Sequence, residues 1–172
     1  MLVVTTSHRP TQFGVVPAAT AMETDGLTFL RNMITQHYPS PPFADTTDIW
    51  LIQAEHGRVV FEALPAQRFL NPLGTVHGGW ISTLLDSAMG CAVHSTLKPG
   101  SGFTTVDMTV SFVRPVLANS GKLMCEGKII HSGGRIATAE GRVTDAAGTL
   151  IAHGTETCLI LKPPSTNARR RT

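Results

Sequence analysis

The groups in this sequence that are best suited to chemistry lie in a Gly/Pro-rich loop and in the apolar segment after it. The loop ends in His77-Gly78-Gly79, and Asp86 follows inside the apolar segment. Two glycines that open a helix present unpaired backbone N–H groups at the positive end of its dipole, where an oxyanion can be held. A carboxylate that acts with such donors as a general base or a nucleophile would suit acyl transfer.

The segment that contains Asp86 is predicted to be a buried helix. Apolar residues cover most of its circumference, at Trp80, Ile81, Leu84, Leu85, Ala88, Met89, Ala92 and Val93. A narrow stripe of small and polar residues remains at helical spacing, at Gly79, Ser82, Asp86 and Gly90. Because burying an unpaired carboxylate is costly, Asp86 needs a partner or a role. The helix alone leaves a structural hydrogen bond and a reactive role equally open.

A longer motif surrounds these residues. It reads Asn71-x-x-Gly74-x-x-His77-Gly78-Gly79, with Asp86 seven residues later, then Thr104-Thr105-Val106-Asp107-Met108 and Phe112-Val113-Arg114-Pro115. The combination resembles the hot-dog-fold thioesterases of the phenylacetate-degradation (PaaI) type, from about Leu27 to Leu161. The resemblance implies an α+β fold in which a curved antiparallel sheet of five to six strands wraps around one long central helix. It also implies a homodimer whose sheets join edge to edge, commonly paired into a homotetramer.

The same resemblance assigns roles to the loop and the helix. Asp86 takes the place of the catalytic carboxylate, as general base on water or as nucleophile on the thioester carbonyl. The backbone N–H of Gly78 matches the oxyanion donor, and Gly79 assists it. The Asn71 amide orients water or the carbonyl, and His77 lies beside the leaving group. For His77 a purely structural role in the turn is the alternative.

A serine or threonine that holds the attacking water completes the site in the family, on a strand contributed by the other subunit. Alignment through Val106-Asp107-Met108 identifies it as Thr105. Strict alternation of the strand instead puts Thr104 on the apolar face and Thr105 on the opposite one. Both residues therefore remain candidates.

The leaving group that the resemblance implies is coenzyme A, so an acyl-CoA is the expected substrate. Its phosphates need cationic or backbone N–H partners, and the family places such contacts near Arg114 and the segment Ser132-Gly133-Gly134-Arg135. A hairpin turn with a solvated arginine explains that segment equally well. No metal and no cofactor other than the CoA of the substrate are expected, since no P-loop or dinucleotide-binding glycine pattern occurs.

Length and composition favour one soluble globular domain. The chain has 172 residues, of which 42% are hydrophobic and 15% charged. The net charge of +2 depends on Arg169, Arg170 and Arg171, without which 11 basic residues face 12 acidic ones. We therefore predict a flexible arm at 1–24, the domain at 25–162 and a disordered basic tail at 163–172, with no nucleic-acid surface on the domain.

The cysteines and the apolar segments indicate a cytoplasmic protein. Cys91, Cys125 and Cys158 are widely spaced and form neither a CxxC pair nor a cluster with histidine. This pattern fits a reducing compartment and argues against a disulfide scaffold or a metal site. The first 20 residues lack a signal-peptide core, and the longest apolar helix is too short to span a membrane.

The elements that must position the motif can also be read from the sequence. A helix is predicted from the N-cap Asp25 to near Tyr38, and a hairpin at 48–54 and 58–63. Strands are predicted at 104–113, 122–131, 135–144 and 149–161. In the third of these, Ala137, Ala139 and Gly141 present small side chains against which a helix could lie closely.

Two functions other than hydrolysis remain on the same fold. A ligand-binding module would sense an acyl-CoA without turning it over, but it needs neither a base nor an oxyanion donor. An enoyl-thioester hydratase typically pairs an aspartate with a histidine five residues later, and that position is Cys91 here. Fold alone does not separate these functions, so the site must.

Overall fold

The computed structural model describes residues 4–5 and 8–162, which form four α-helices and seven β-strands. The helices are α1 (Ala18–Glu23), α2 (Gly26–Ile34), α3 (Pro42–Thr47) and α4 (Gly78–His94). The strands are β1 (Val4–Thr5), β2 (Ile49–Glu55), β3 (Arg58–Ala63), β4 (Gly102–Phe112), β5 (Leu123–Ser132), β6 (Ile136–Asp145) and β7 (Leu150–Leu161). None of the helices in these residues is long and apolar enough to cross a membrane.

One antiparallel sheet contains all the strands, in the order β1-β2-β3-β5-β6-β7-β4. Strand β1 has only two residues, and the other six have 6 to 12. The predicted α+β class, with an antiparallel sheet around one long helix, is confirmed. Strand β4 forms one edge of the sheet, so its outer backbone groups have no neighbouring strand among the described residues.

Helix α4 lies close against the sheet because small residues face it. Ala137, Ala139 and Gly141 on β6 are buried, as predicted. A Cβ atom at Gly141 would lie 2.8 Å from a methyl carbon of Leu85. At Gly127 on β5, which the sequence pattern does not single out, it would lie 2.2 Å from the backbone oxygen of Ala88. This close approach fixes the position of the helix that carries Asp86.

The largest departures from the sequence prediction lie before β2. Helix α2 begins at its predicted cap, where the Asp25 carboxylate accepts from the Thr28 N–H, but it ends at Ile34 because Gln36 has a left-handed backbone with φ 58°. Helix α3 was not predicted, since it begins inside the Pro-rich segment. Proline is tolerated there because the first helical residue needs no N–H donor, and Pro42 occupies that position.

Part of the segment before Asp25, for which the sequence predicts a loose arm, lies against the domain. Strand β1 pairs with β2, and the guanidinium of Arg9 forms ion pairs with Asp45 and Asp48. The predicted basic tail at 163–172 lies outside the described residues.

Candidate active site

The start of α4 is fixed by His77, which is its N-cap residue. The Nδ1 atom of His77 accepts a hydrogen bond from the backbone N–H of Gly79 at 3.0 Å. An imidazole nitrogen that accepts cannot carry the hydrogen, so the neutral ring has its hydrogen on Nε2. The His77 residue is exposed. The histidine therefore shapes the turn and also leaves one N–H available to a ligand.

The two glycines after His77 differ in what their N–H groups can do. The N–H of Gly79 is occupied by the His77 ring, whereas the N–H of Gly78 has no hydrogen-bond partner within residues 8–162. It belongs to the first residue of a 17-residue helix, at the positive end of the helix dipole. A Cβ atom at Gly78 would lie 3.1 Å from the Phe112 ring, so a side chain here would crowd that ring. Of the two glycines, Gly78 is therefore the one whose N–H group can donate to a ligand.

Asn71 holds the loop in shape through its side chain. Its Oδ1 accepts from the N–H groups of Leu73 at 2.9 Å and Thr75 at 3.3 Å, and its Nδ2 donates to Thr75 Oγ1 at 2.7 Å. The loop borders an open cavity of about 290 Å³, which is also lined by Gly78, Phe112 and Arg114. In this conformation the Asn71 amide supports the loop that presents the Gly78 N–H.

Asp86 lies in the middle of α4, half-buried, and faces the edge of the sheet where β4 and β7 pair. Among the described residues its carboxylate has one hydrogen bond, from Thr105 Oγ1 to Oδ1 at 3.3 Å. The same hydroxyl lies 2.7 Å from Oε1 of Glu156 on β7. Thr105 therefore joins two carboxyl groups from two different elements.

A β-bulge in β4 determines which of the two threonines faces Asp86. Thr105 pairs with Cys158 and Asp107 pairs with Thr157, so Val106 is an extra residue on the β4 side. The bulge reverses the alternation of faces. Phe103 and Thr105 point inward before it, and Met108 and Val110 pack on the core after it. Strict alternation through Thr104 would put Val106 on the apolar face as well, but Val106 is 61% exposed, and Thr104 faces away from Asp86.

The chain alone does not bring the predicted site together. Gly78 and Asp86 are eight residues apart on one straight helix, a separation of about 12 Å along its axis. No single carbonyl group can contact the N–H of Gly78 and the carboxylate of Asp86 from the same chain. The cluster at Asp86 and the cavity at Gly78 are therefore separate regions within one chain.

The predicted substrate-binding residues also separate into two groups. Arg114 lines the cavity at the start of α4, where its Nη1 donates to the Leu150 carbonyl at 2.7 Å. Gly133 lies beyond the opposite end of the helix, beside a cavity of about 260 Å³ that Lys98 and Lys162 also line. Arg135, two residues after Gly133, is exposed. Since α4 is about 25 Å long, the two groups cannot hold the same phosphate within one chain.

Part of the chain that forms this arrangement is similar to a known protein family. Residues 73–152, slightly under half of the chain, match the family model described as "Thioesterase superfamily". The chain contains a thioesterase superfamily domain. The match covers α4 and β4 to the start of β7, and so includes His77, Gly78, Asp86 and Thr105.

The names of individual relatives are consistent with the thioesterase superfamily match. Over 110 residues the chain is 29% identical to human acyl-coenzyme A thioesterase 13. The matched segment covers 63% of this chain and 77% of that protein. Over 85 residues it is 39% identical to a Halobacterium salinarum protein that carries the provisional name of an esterase. That match covers 48% of this chain and 54% of the relative, so the chain spans only about half the length of that relative.

The fold is the hot-dog fold of this superfamily. A crystal structure of a phenylacetic acid degradation-related protein from Ralstonia eutropha JMP134 superposes with a TM-score of 0.70 at 27% sequence identity. The superposition covers 76% of this chain and 98% of that one. The predicted resemblance to thioesterases of the phenylacetate-degradation type is confirmed.

Sequence reasoning missed Glu156, which lies on β7 four residues beyond the matched segment. Its residue is 1% exposed, and it lies on a face of β7 that otherwise carries Ala152, Gly154 and Cys158. Burial raises its pKa, and the negative charge of Asp86 adds to this effect. A signal was present in the sequence, because Glu156 is the only charged residue on the small, apolar face of that strand.

On α4, the thiol of Cys91 also lies near Asp86. Burial raises its pKa to about 12, with further contributions from Glu156 and Asp86. At neutral pH the thiol is protonated and is not an effective acid or base. It therefore cannot replace the histidine that the hydratases use. Within the described residues, no three His, Cys, Asp or Glu side chains cluster as metal ligands would.

Proposed function

We propose that this protein is an acyl-CoA thioesterase, which hydrolyses a thioester to a free acid and CoA. The observation that carries the proposal is the Asp86 carboxylate, buried halfway in an apolar helix with only the Thr105 hydroxyl as partner among described residues. Such a group is available to act on water or on a carbonyl carbon. The thioesterase superfamily match and the relative named acyl-coenzyme A thioesterase 13 support the same reaction.

In the proposed mechanism, the Gly78 N–H binds the thioester carbonyl oxygen. Asp86 removes a proton from a water molecule held by Thr105 while the water oxygen attacks the carbonyl carbon. The resulting oxyanion is stabilised by the Gly78 N–H and the helix dipole. The C–S bond then breaks, and the departing CoA sulfur takes up a proton. Direct attack by Asp86, followed by hydrolysis of an anhydride, uses the same groups.

The site is proposed to form between two copies of the chain, because about 12 Å separates Gly78 from Asp86 within one copy. One protomer would contribute Asn71, His77 and Gly78, and its partner would contribute Asp86 and Thr105. Strand β4 is an open sheet edge on which Val106 is 61% exposed and Phe112 is 54% exposed, as expected of a surface that pairs. These features support a homodimer, and its pairing into a homotetramer is proposed from the family resemblance alone.

Complementation between two inactive variants tests the shared site. Asp86→Asn removes the base, and Gly78→Pro removes the oxyanion donor. Co-expressed under two affinity tags and purified as a mixed dimer, they would form one intact site if each site uses both chains, and activity should return to about half of wild type. If the mixed dimer forms but shows no activity, Gly78 and Asp86 act from the same chain.

The first measurement is release of free CoA thiol from phenylacetyl-, benzoyl-, short-chain and long-chain acyl-CoAs. Wild type and Asp86→Asn are compared, with Glu140→Gln as a matched control at an exposed acid on β6. Turnover that survives in the control and disappears in Asp86→Asn supports hydrolysis. Tight binding of a panel member without thiol release would instead identify a sensor of acyl-CoA.

The other assignments rest on position. Arg114, beside Gly78, is proposed to contact the CoA portion, and the turn at Gly133–Arg135 with Lys98 and Lys162 would contact a CoA bound from another copy. No metal or further cofactor enters this mechanism. A cytoplasmic location is proposed from the cysteine pattern.

A further inference from the structure

The buried acid on β7, Glu156, has no role in the mechanism above, and its contacts do not explain why a carboxyl group is buried at this position. It lies in the core at 1% exposure, and its Oε2 has no hydrogen-bond partner within the described residues. No basic side chain forms an ion pair with it in residues 4–5 and 8–162. An isolated buried carboxyl group destabilises a fold, so an apolar residue at this position would be more favourable for stability.

The contacts of Glu156 lead directly to the Asp86 carboxylate. Its Oε1 lies 2.7 Å from Thr105 Oγ1, and Thr105 Oγ1 lies 3.3 Å from Asp86 Oδ1. The Cys158 thiol donates to the same Oε1 at 3.0 Å. At Gly90, one turn beyond Asp86 on α4, a Cβ atom would lie 3.0 Å from the Phe103 ring and 3.6 Å, an ordinary contact distance, from Oε1.

We propose that Glu156 is a positioning residue of the hydrolytic site: its neutral carboxyl group holds the Thr105 hydroxyl so that this hydroxyl donates to Asp86. The inference rests on the proposed function and adds a residue to it. A hydroxyl has one hydrogen, and two carboxyl oxygens compete for it at this position. If Glu156 carries the proton, it donates to Thr105 Oγ1, and the Thr105 hydrogen is directed to Asp86 Oδ1.

The protonation state follows from what surrounds Glu156 on every side. Asp86 and Cys91 face it from α4, Thr105 from β4, Cys158 from its own strand, and Ala139 pairs with it on β6. None of these groups supplies a positive charge. Burial, the largest effect, and the Asp86 charge raise the pKa of Glu156, whereas the hydrogen bonds from Cys158 and Thr105 lower it, so in the proposed arrangement Glu156 is the neutral member of the pair.

Three substitutions separate positioning from packing. Glu156→Gln keeps the size and places an amide donor beside Thr105, so it mimics the neutral acid, and kcat should stay within about threefold of wild type. Glu156→Met keeps the length but removes the donor, and kcat should fall about tenfold with KM little changed. In the Thr105→Val background, Glu156→Met should have no further effect, because it acts through that hydroxyl.

Thermal unfolding gives the control for a structural role. Glu156→Met replaces a buried carboxyl group by an apolar side chain, so its Tm should equal or exceed that of wild type. A variant that is more stable and yet slower cannot owe its lost activity to unfolding. Wild-type activity in a stable Glu156→Met variant, or loss of activity in Glu156→Gln as severe as in Glu156→Met, would overturn the inference and leave the hydrolase proposal intact.

An independent measurement does not depend on turnover. At neutral pH, wild type should show the infrared C=O stretch of one protonated, buried carboxyl group, and Glu156→Gln should lack it. Absence of that band from wild type would overturn the inference, whatever the activity assays give. If the band is present but no acyl-CoA is hydrolysed by wild type, the hydrolase proposal fails, and with it the positioning role.

Discussion

The proposed reaction uses two regions of α4, its start and its middle, and these regions are constructed in opposite ways. At Gly78 the functional group is a backbone N–H, exposed and presented by a loop whose hydrogen bonds lie mainly within residues 69–79. At Asp86 the functional group is a side chain, half-buried and held by Thr105, with Glu156 behind it, 70 residues further along the chain. Local sequence specifies the first region, whereas packing of the sheet specifies the second.

This difference affects what a substitution can do in each region. Near Gly78, a change acts through the backbone and can be repaired by another residue with the same local geometry. Near Asp86, each change alters hydrogen bonds that Asp86, Thr105 and the buried Glu156 share, so the effects of separate changes are coupled. We therefore expect the largest single effect at Asp86 and less additive effects in the middle of the helix than at its start.

The largest effect is expected from Asp86→Asn. The amide keeps the shape of the side chain but cannot accept a proton from water, so kcat should fall by about 10³-fold or more. Thiol release measures it, and circular dichroism should show an unchanged fold. Turnover close to wild type would remove Asp86 from the mechanism.

Gly78→Pro compared with Gly78→Ala tests the start of the helix. Both add a Cβ atom beside Phe112, but only proline removes the N–H. Proline is accepted at the first helical position, and His77 has the extended backbone, φ −62° and ψ 133°, that a following proline requires. We expect kcat to fall about 10²–10³-fold in Gly78→Pro and only slightly in Gly78→Ala. Equal losses would mean that the side chain, not the N–H, causes the defect.

Thr105→Val and Thr104→Val test the β-bulge. Valine keeps the shape of threonine and removes the hydroxyl that contacts Asp86, so kcat should fall about tenfold or more for Thr105→Val. Thr104→Val is the control, since Thr104 is exposed and faces away, and it should leave kcat unchanged. The opposite ranking would show that the bulge is absent in solution.

A smaller effect is expected at His77. His77→Ala removes the cap acceptor for the Gly79 N–H and should lower the free energy of unfolding by about 1 kcal/mol. Activity should fall less than in Asp86→Asn. His77→Asn restores a capping acceptor without the Nε2 hydrogen, so recovery of stability without recovery of kcat would assign the ring a role beyond the turn. Equal collapse of activity in His77→Ala and Asp86→Asn would mean that the histidine is as important as the acid.

The smallest effect is a pH dependence of stability. Because burial raises the pKa of Glu156 above its ordinary value of 4.5, the folded state keeps this proton to higher pH than the unfolded chain does. Wild-type stability should therefore fall as pH rises from about 4.5 through the folded pKa, and Glu156→Gln should lack this contribution. The difference in Tm between the two proteins, measured over that range, should grow with pH and then level off.

Short-range sequence patterns specify most of the elements and the start of α4. The cap at His77, the glycines after it and the apolar periodicity around Asp86 are local features, and local hydrogen bonds and side-chain burial follow from them directly. Strands β4 to β7 are predicted within two residues of their observed ends for the same reason, since alternation and turn residues act over short distances.

Which side chains meet depends on the tertiary structure. An extra residue at Val106 reverses the faces of β4, and no periodic pattern shows where such a bulge occurs, because it depends on the register with β7. In the sequence Glu156 is one polar residue in an alternating strand, and only strand pairing places it behind Thr105. The distance between Gly78 and Asp86 is set by the rise of the helix, so the assembly of a complete site depends on how copies of the chain pack together.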